Sequence, residues 1–520
     1  MVGAWLVLGA YGLAIVAIAV LCRKKSSTLQ GFFLADSGVG GWMTAFSYGV
    51  TYFSSVAFIG YAGKFGMSMG MSSIFIGIGN AVIGALLAWL VLAKRTKNMS
   101  TVLKADTMPE FFAERYKSKP IKAISAIIIF IFLIPYSTSV YQGISLLFES
   151  VFGIPYQWCV VLMAVLTAAY LFSGGYFASA VSDFLQGIIM LVGIVIIIAL
   201  VATSDTVNGA TGFQTLIDKG YGFLPQTTSA TGMFYDTPAF NLIVIILLTS
   251  FGIWAMPQSV HKFRVVKDNN AIKRAAVVST LFCLIIGVGA YMNGGFARLF
   301  YPDALPAGGA DSVVPGILKS AGFSKPMLAF VLVLVLSASM STLSSLSLAG
   351  ASAVALDFYR GFLAKEGEGE RKTKLILRVG SVVFILVSAV LALNPLDAIV
   401  TLMSLSWGTL AGCFIGPYVL GLYNKKITKE AAYTSVIGGV VITVVLIFVF
   451  GATMGGGGNI LQRGLARSPL VGVIAMLSSF ALTLGVSYVQ LLITKKPPEA
   501  AGFEAITVLT SETETVKEAE

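Results

Sequence analysis

About thirteen apolar runs, most of them near 20 residues, follow one another along the chain, and each is long enough to cross a bilayer as a helix. They lie at roughly 3–22, 42–63, 70–93, 121–150, 155–174, 178–202, 239–263, 272–297, 326–357, 374–394, 396–423, 431–452 and 468–493. Backbone inside hydrocarbon must satisfy its own hydrogen bonds, so each run is predicted to be helical. Composition agrees: 57% of the 520 residues are hydrophobic and 11% charged, against about a quarter charged in soluble domains. The longest polar gap, about 35 residues, is too short to bury a core of its own. The chain reads as an all-α polytopic membrane protein with one transmembrane domain, 1–496. An acidic tail, 497–520, ending SETETVKEAE, is expected to be disordered and cytoplasmic.

Charge orients the runs. With the N-terminus outside, the inner loops hold 28 Lys and Arg, and the outer ones 7. That asymmetry predicts an N-out, C-in arrangement in the cell membrane with an odd number of crossings. The net charge of +11 is therefore a topology signal spread over six loops, and nucleic acid is not an expected partner. The first run ends at Arg23, Lys24 and Lys25 without a small-residue cleavage site, and reads as a retained span. The segment 98–120 reads as an inner amphipathic helix starting at Pro109, and 204–238 as an outer loop. Cys22, Cys159, Cys283 and Cys413 have neither zinc nor disulfide spacing, and one histidine, His261, makes a His-rich metal centre a poor reading. His261 stands beside Lys262 at the inner end of the seventh run and reads as interfacial rather than as a proton relay.

Two runs look interrupted. The second, GWMTAFSYGVTYFSSVAFIGYAG, has Thr51, Ser54 and Ser55 in its middle with Gly49 and Gly60 on either side. The seventh, LTSFGIWAMPQSVHKF, has Gly252 and Pro257 in mid-run. Breaks at membrane depth are tolerated where they line a cavity or bind something, and breaks in corresponding places point to repeated halves. Spacing of five runs fits repeats over runs 2–6 and 7–11 (about 42–202 and 239–423), with one run before and two after. The plainer alternative is that Gly and Pro kink packed helices.

The ninth run carries LSASMSTLSSLSL, 336–348. On a helix Ala338, Ser341, Thr342 and Ser345 share one face. Neutral hydroxyl and carbonyl oxygens suit a small hard cation, so this face is a candidate half-site for sodium; close helix packing is the alternative. Asp183, near the start of the sixth run, is costly in a membrane without a cation, unless it reaches water at the interface. No Lys or Arg stands near it in sequence.

Several segments carry a family resemblance. FFLADSGVGGW (32–42), TMPEFFAERY (107–116), FESVFGIPY (148–156), SGGYFASAVSDFLQG (173–187), ASMSTLSS (338–345), LDFYR (356–360) and GPYVLGLY (416–423) resemble the sodium/solute symporter family of proline, pantothenate, sialic acid and sugar carriers. The resemblance implies a LeuT-like 5+5 inverted repeat. It also implies a main sodium site made of the Val50, Phe53 and Ala338 carbonyls and the Ser341 and Thr342 hydroxyls. A second site, present in some members, maps onto Asp183, Ser341, Ser344 and Ser345, so one sodium and possibly a second are expected per cycle.

Candidate solute-binding residues lie beside both breaks: Ser54, Ser55, Val56 and Ala57, with Tyr136 and Gln142 on the fourth run and Trp254 and Gln258 on the seventh. Packing roles are the alternative for Tyr136 and Trp254. Proline carriers have tryptophan at the positions of Val56 and Thr249, and sugar carriers have Glu and Gln at those of Val56 and Ala57. These departures count against proline itself and against hexoses, while GIPY and MPQSVHKF resemble pantothenate-type carriers, so the expected class is a small organic acid or amino-acid-like solute of pantothenate or proline type. The expected activity is inward sodium-coupled symport by alternating access, by a unit functional as a monomer among membrane lipid. A proton-coupled carrier on the same scaffold and, behind it, a passive channel are the alternatives. HExxH and phosphate-cradling loops are missing, so an enzyme is not expected.

Overall fold

The computed structural model describes residues 2–22, 28–35, 39–229, 231–364, 370–454 and 457–503. Arg23 to Lys25, part of the 32–42 segment, Lys365 and the acidic tail from 504 lie outside the described residues. Among the described residues, ten helices are long and apolar enough to cross a membrane, and Leu8–Cys22 and Tyr156–Phe172 are apolar but shorter. The expected figure of thirteen is not reached by that measure. One reason is that helix runs on from Val56 to Val102, through the second half of the second run, beyond its break, and the whole third run. Gly70, with φ 62°, turns the chain inside it.

Both predicted breaks are present, at Ser54 and Pro257 among the residues expected, while Gly49 and Gly60 have a different role. The second run is helical over Gly41–Tyr52, then Phe53 is extended at φ −105°, ψ 122°. The first half ends on Phe53 N–H to Gly49 O at 3.4 Å, and hydrogen bonding resumes at Ser54 O, which accepts from Ala57 and Phe58. The Ser54 hydroxyl accepts from Val56 N–H at 3.2 Å, offering the backbone a local alternative to the helix. Gly49 and Gly60 do other work. A Cβ on Gly49 would come within 2.4 Å of the Phe282 ring, and one on Gly60 within 2.6 Å of Ile399. They are close-approach points that seat the two halves.

The seventh run is helical over Pro238–Gly252, tightens over Ile253–Ala255, and restarts at Pro257–Val265. Met256 is extended at ψ 124°, as the residue before a proline prefers. Pro257 opens the second half, where its missing N–H costs nothing. Between the fifth and sixth runs the helix Tyr156–Thr203 is interrupted by Gly175 at φ 59°, ψ −163°. Only glycine adopts that conformation without strain, and a Cβ there would also meet the Phe32 ring at 2.6 Å.

Burial ranks the helices. In the most apolar stretch of Ile399–Tyr423, 94% of residues are buried, and in that of Lys325–Leu363, 83%, against 28% for Lys429–Thr453. The ninth and eleventh runs are thus central, and the twelfth presents its Val and Phe side chains outward, as a lipid-facing helix does. The ninth continues past Ser352 as a wider π-helix over Ala353–Leu363. The segment 98–120 is not one helix. Lys94–Val102 prolongs the third run, and Met108–Arg115 is separate, capped by Thr107, whose hydroxyl accepts from Glu110 N–H at 3.1 Å. Pro109 stands at its start, as expected.

Polar contacts tie that short helix to the inner ends of the seventh and ninth runs. Arg264 meets Asp106 at 2.5 Å, Arg360 meets Glu110 at 3.3 Å, and Lys122 meets Glu110 at 3.0 Å. Burial raises the Glu110 carboxyl, but Lys122, the Asp106 N–H and Arg360 together hold it below the usual range. A depressed carboxylate contributes stability above its unfolded pKa and loses it as pH falls through the folded value. Glu110→Gln is therefore expected to cost about 1–3 kcal/mol near neutrality. The difference in melting temperature from the parent should narrow as pH drops below about 4; a difference independent of pH would contradict the ionic role.

Candidate functional site: the break in the second run and the hydroxyl face of the ninth

The break meets the stripe. Thr342 Oγ1 lies 3.2 Å from Thr51 O and 3.0 Å from Ala338 O. Thr51 Oγ1 lies 3.4 Å from Ser341 Oγ and 3.2 Å from Ser345 Oγ. Thr51, Ser341, Thr342 and Ala338 are all buried. Val50 and Phe53, also buried, flank Thr51 and Tyr52, and their carbonyls fall between the last acceptor of one half-helix and the first of the next. A pocket of neutral oxygens thus sits where two helices cross, away from bulk water. Each hydroxyl keeps lone pairs free while it donates, so the group can turn toward a cation without a protein charge. Thr51, between Val50 and Phe53, makes the direct hydrogen bonds to the ninth run.

The acidic residue is next to this pocket. Asp183 is wholly buried and accepts from Ser47 Oγ at 2.5 Å. Its cation is Lys262, which the sequence reading counted as a loop residue. Lys262 is 1% exposed, its Nζ 3.7 Å from Asp183 Oδ2, 2.6 Å from Ser47 Oγ and 3.5 Å from Ser345 Oγ. Interfacial water for Asp183 is thereby ruled out in this conformation, and Lys262 leaves the inner-loop tally without altering its sign. Ser344 points elsewhere, donating to Ser341 O at 2.9 Å and meeting Ser179 Oγ at 3.1 Å. His261 packs between the Phe33 and Tyr176 rings, at 4.6 and 4.7 Å. A signal for Lys262 was available: Gln258 and Lys262 stand four apart on one helix, hence on one face.

The solute candidates divide. Gln258 is buried with both amide atoms unpartnered, and the Tyr136 hydroxyl is likewise buried, beside Ser54. Beside Tyr136, at 5.7 Å and edge-on, is Trp407, whose indole N–H also lacks a partner; sequence reasoning missed it. Ser55 is occupied, donating to Val140 O at 2.8 Å, and Trp254 donates to Ile83 O at 3.0 Å. Both pin a break to a neighbouring helix. Gln142 lies 3.5 Å from Asp311 at the opposite end of its helix from Lys122. Val56 is fully buried and Ala57 partly so. Thr249, where proline carriers have tryptophan, donates to Asn80 at 2.7 Å.

A narrow cavity of about 40 Å³ runs from Asp106, Thr107 and Met108 to Gln258, Lys262 and Ser345. It opens on the face that carries the short helix Met108–Arg115. On the other side of the break, Tyr61 OH meets Ser404 at 2.7 Å, and Asp311 accepts from Ile399 N–H at 3.1 Å. The cavity thus reaches Lys262 and Ser345 from that face, and the contacts of Tyr61 and Asp311 tie the eleventh run down on the other side of the break.

Comparison with known proteins agrees with this geometry. The chain is 27% identical over 498 residues to the osmoregulated proline transporter OpuE of Bacillus subtilis (strain 168), spanning 95% of each. It is 28% identical over 506 residues to a sodium/proline symporter of Staphylococcus aureus, spanning 95% of this chain and 93% of that one. A substrate-bound, outward-open Na+-coupled sialic acid symporter superposes with a TM-score of 0.75 at 19% identity, over 94% of this chain and 97% of the other. That likeness shows the LeuT-like fold expected from the broken runs. The model of the Sodium:solute symporter family matches residues 32–439, through both breaks, Asp183 and the hydroxyl stripe, and the chain belongs to that family of transporters.

Proposed function

We propose that the chain couples the inward movement of sodium to uptake of a small organic acid or amino-acid-like solute. The observation that carries this reading is the 3.2 Å approach of Thr342 Oγ1 to Thr51 O, a hydroxyl face laid against unwound backbone. Sodium would bind between the Val50 and Phe53 carbonyls, the Ala338 carbonyl, and the Ser341 and Thr342 hydroxyls. Bound there it ties the second run to the ninth and favours the outward-open arrangement. Its departure into the inner cavity releases that tie. Coupling is the difference in sodium affinity between the two arrangements, not a push. An interior-negative potential adds about 2.3 kcal/mol per charge per 100 mV.

The solute would lie at mid-depth beside Ser54, Val56, Ala57, Tyr136 and Gln258, with Ser55, Gln142 and Trp254 shaping the walls. Gln258 is the most available, since its amide has no hydrogen-bond partner among the described residues, with Tyr136 beside Ser54; buried polar groups left unpaired are costly and want a ligand or water. The relatives named for proline support the amino-acid-like class, while Thr249 and Val56 argue for a differently shaped solute. The unit would be one domain, 1–496, with thirteen crossings, the N-terminus outside, the tail inside, and activity as a monomer.

Thermal stabilisation of the purified protein across organic acids and amino acids, with and without sodium, identifies the solute. Uptake of that solute into proteoliposomes under an inward sodium gradient, at equal pH on both sides, then tests the coupling. Accumulation is expected; accumulation only when a pH gradient is imposed would favour the proton-coupled carrier. Gln258→Leu is expected to weaken solute affinity about 10-fold or more while leaving the sodium concentration for half-maximal stabilisation unchanged. Unaltered solute affinity would remove Gln258 from the site.

A further inference from the structure

We infer that the ammonium of Lys262 takes the place of a second sodium ion, so that this carrier binds one sodium per cycle. The inference rests on the sodium reading above and concerns the four residues, Asp183, Ser341, Ser344 and Ser345, that the family resemblance offers for the second ion. They do not converge on an open space. Ser341 Oγ is shared between Thr51 and Asp183, and Ser344 is spent on Ser341 O and Ser179. The two that remain, Asp183 and Ser345, both face Lys262 Nζ, at 3.7 and 3.5 Å.

The ammonium is held as a bound cation would be. It donates to Ser47 Oγ at 2.6 Å, and that hydroxyl donates onward to Asp183 Oδ2 at 2.5 Å, so one serine relays the charge to the carboxylate. The Tyr176 ring lies on another side, 4.9 Å from Nζ to its centroid, a favourable face for a desolvated cation. Both partners are buried, so the carboxylate is neutralised from within the protein.

A second sodium would have to share that carboxylate. Asp183 Oδ1 has no hydrogen-bond partner among the described residues, so an acceptor exists, but an ion there would share its carboxylate with the ammonium. At an effective dielectric near 20, unit charges about 4–6 Å apart repel strongly enough to weaken binding by about two to three decades. The main site's oxygens are neutral, so an ion there need not share a carboxylate with the ammonium.

The test is equilibrium binding of radioactive sodium to the purified full-length protein in nanodiscs at pH 7. The parent is expected to saturate at one ion per chain, and Thr342→Ala to lower that affinity. Lys262→Ala is expected to bind two, and Lys262→Ala with Asp183→Asn one again. The neutral pair Lys262→Met with Asp183→Asn, which leaves no unpaired buried charge, should keep the parent's single ion. A parent value of two overturns the inference, as does a Lys262→Ala protein that stays at one. Loss of the only ion in the neutral pair would place it at Asp183 and overturn it equally. A parent that binds none would instead remove the sodium site itself, which is a different failure.

Discussion

Replacing Thr342 by alanine is expected to raise the sodium concentration for half-maximal uptake by about 10- to 100-fold, with membrane expression little changed. The hydroxyl is one of five proposed oxygen ligands, and a contact from a neutral group to a charge is worth about 1.5–3 kcal/mol. Folding has less to lose. The Thr342 hydroxyl bonds to Ala338 O within its own helix and to Thr51 O across the crossing, and the cavity left by a methyl and a hydroxyl is small. Ser341→Ala should move the sodium dependence in the same direction, and Thr342→Ser should restore it, since serine keeps the oxygen and drops only the methyl. Sodium titrations of uptake that coincide for parent, Ser341→Ala and Thr342→Ala would contradict the ligand set.

Asp183→Asn should destabilise the protein by about 3–5 kcal/mol, the cost of leaving one charge of a buried pair uncompensated. Lys262, 1% exposed, has no other carboxylate within 4 Å among the described residues. Lys262→Met on its own should be similarly harmful, because it strands the carboxylate. The two together should recover most of the loss, since a neutral pair of about the same volume carries no such penalty. Thermal melts of the four proteins in detergent close this cycle. Additive losses in the double variant would show that Asp183 and Lys262 are independent, and the ion pair would not be the reason either is buried.

Much of this architecture was legible because membrane helices advertise themselves. Length and hydropathy placed helix over every apolar run, and the breaks in the second and seventh runs were readable from polar and helix-breaking residues at mid-depth. Which residues make the breaks was less legible. Gly49 and Gly60 caught the eye, yet the second run opens at Phe53 and Ser54, because a serine hydroxyl can cap a new helix start and a glycine that receives a neighbour's ring need not bend anything. The stripe on the ninth run was legible from its spacing, whereas the direct contact of Thr51 with it, a pairing between distant parts of the chain, was not.

Lys262 was misread for a physical reason. A lysine at the end of an apolar run normally marks the edge of the membrane, and its side chain is long enough to look outward from there. Here the restart at Pro257 carries it back beside Asp183, a pairing between distant parts of the chain that no local pattern announces. The third run's extension through Lys94–Val102 was hidden in the same way, since charged residues there read as loop although they remain helical. Trp407 lay unnoticed inside the eleventh run, because a single tryptophan among apolar residues looks like packing until its indole N–H is found without a partner.

A density map of the protein in saturating sodium, resolved well enough to place waters, is the most direct test of the central claim. The expected result is one compact peak between the second and ninth runs, about 2.4 Å from the Ser341 and Thr342 hydroxyls and from carbonyls of the 50–53 break. Density elsewhere, or none there while Thr342 still donates to Ala338 O in excess sodium, would contradict it.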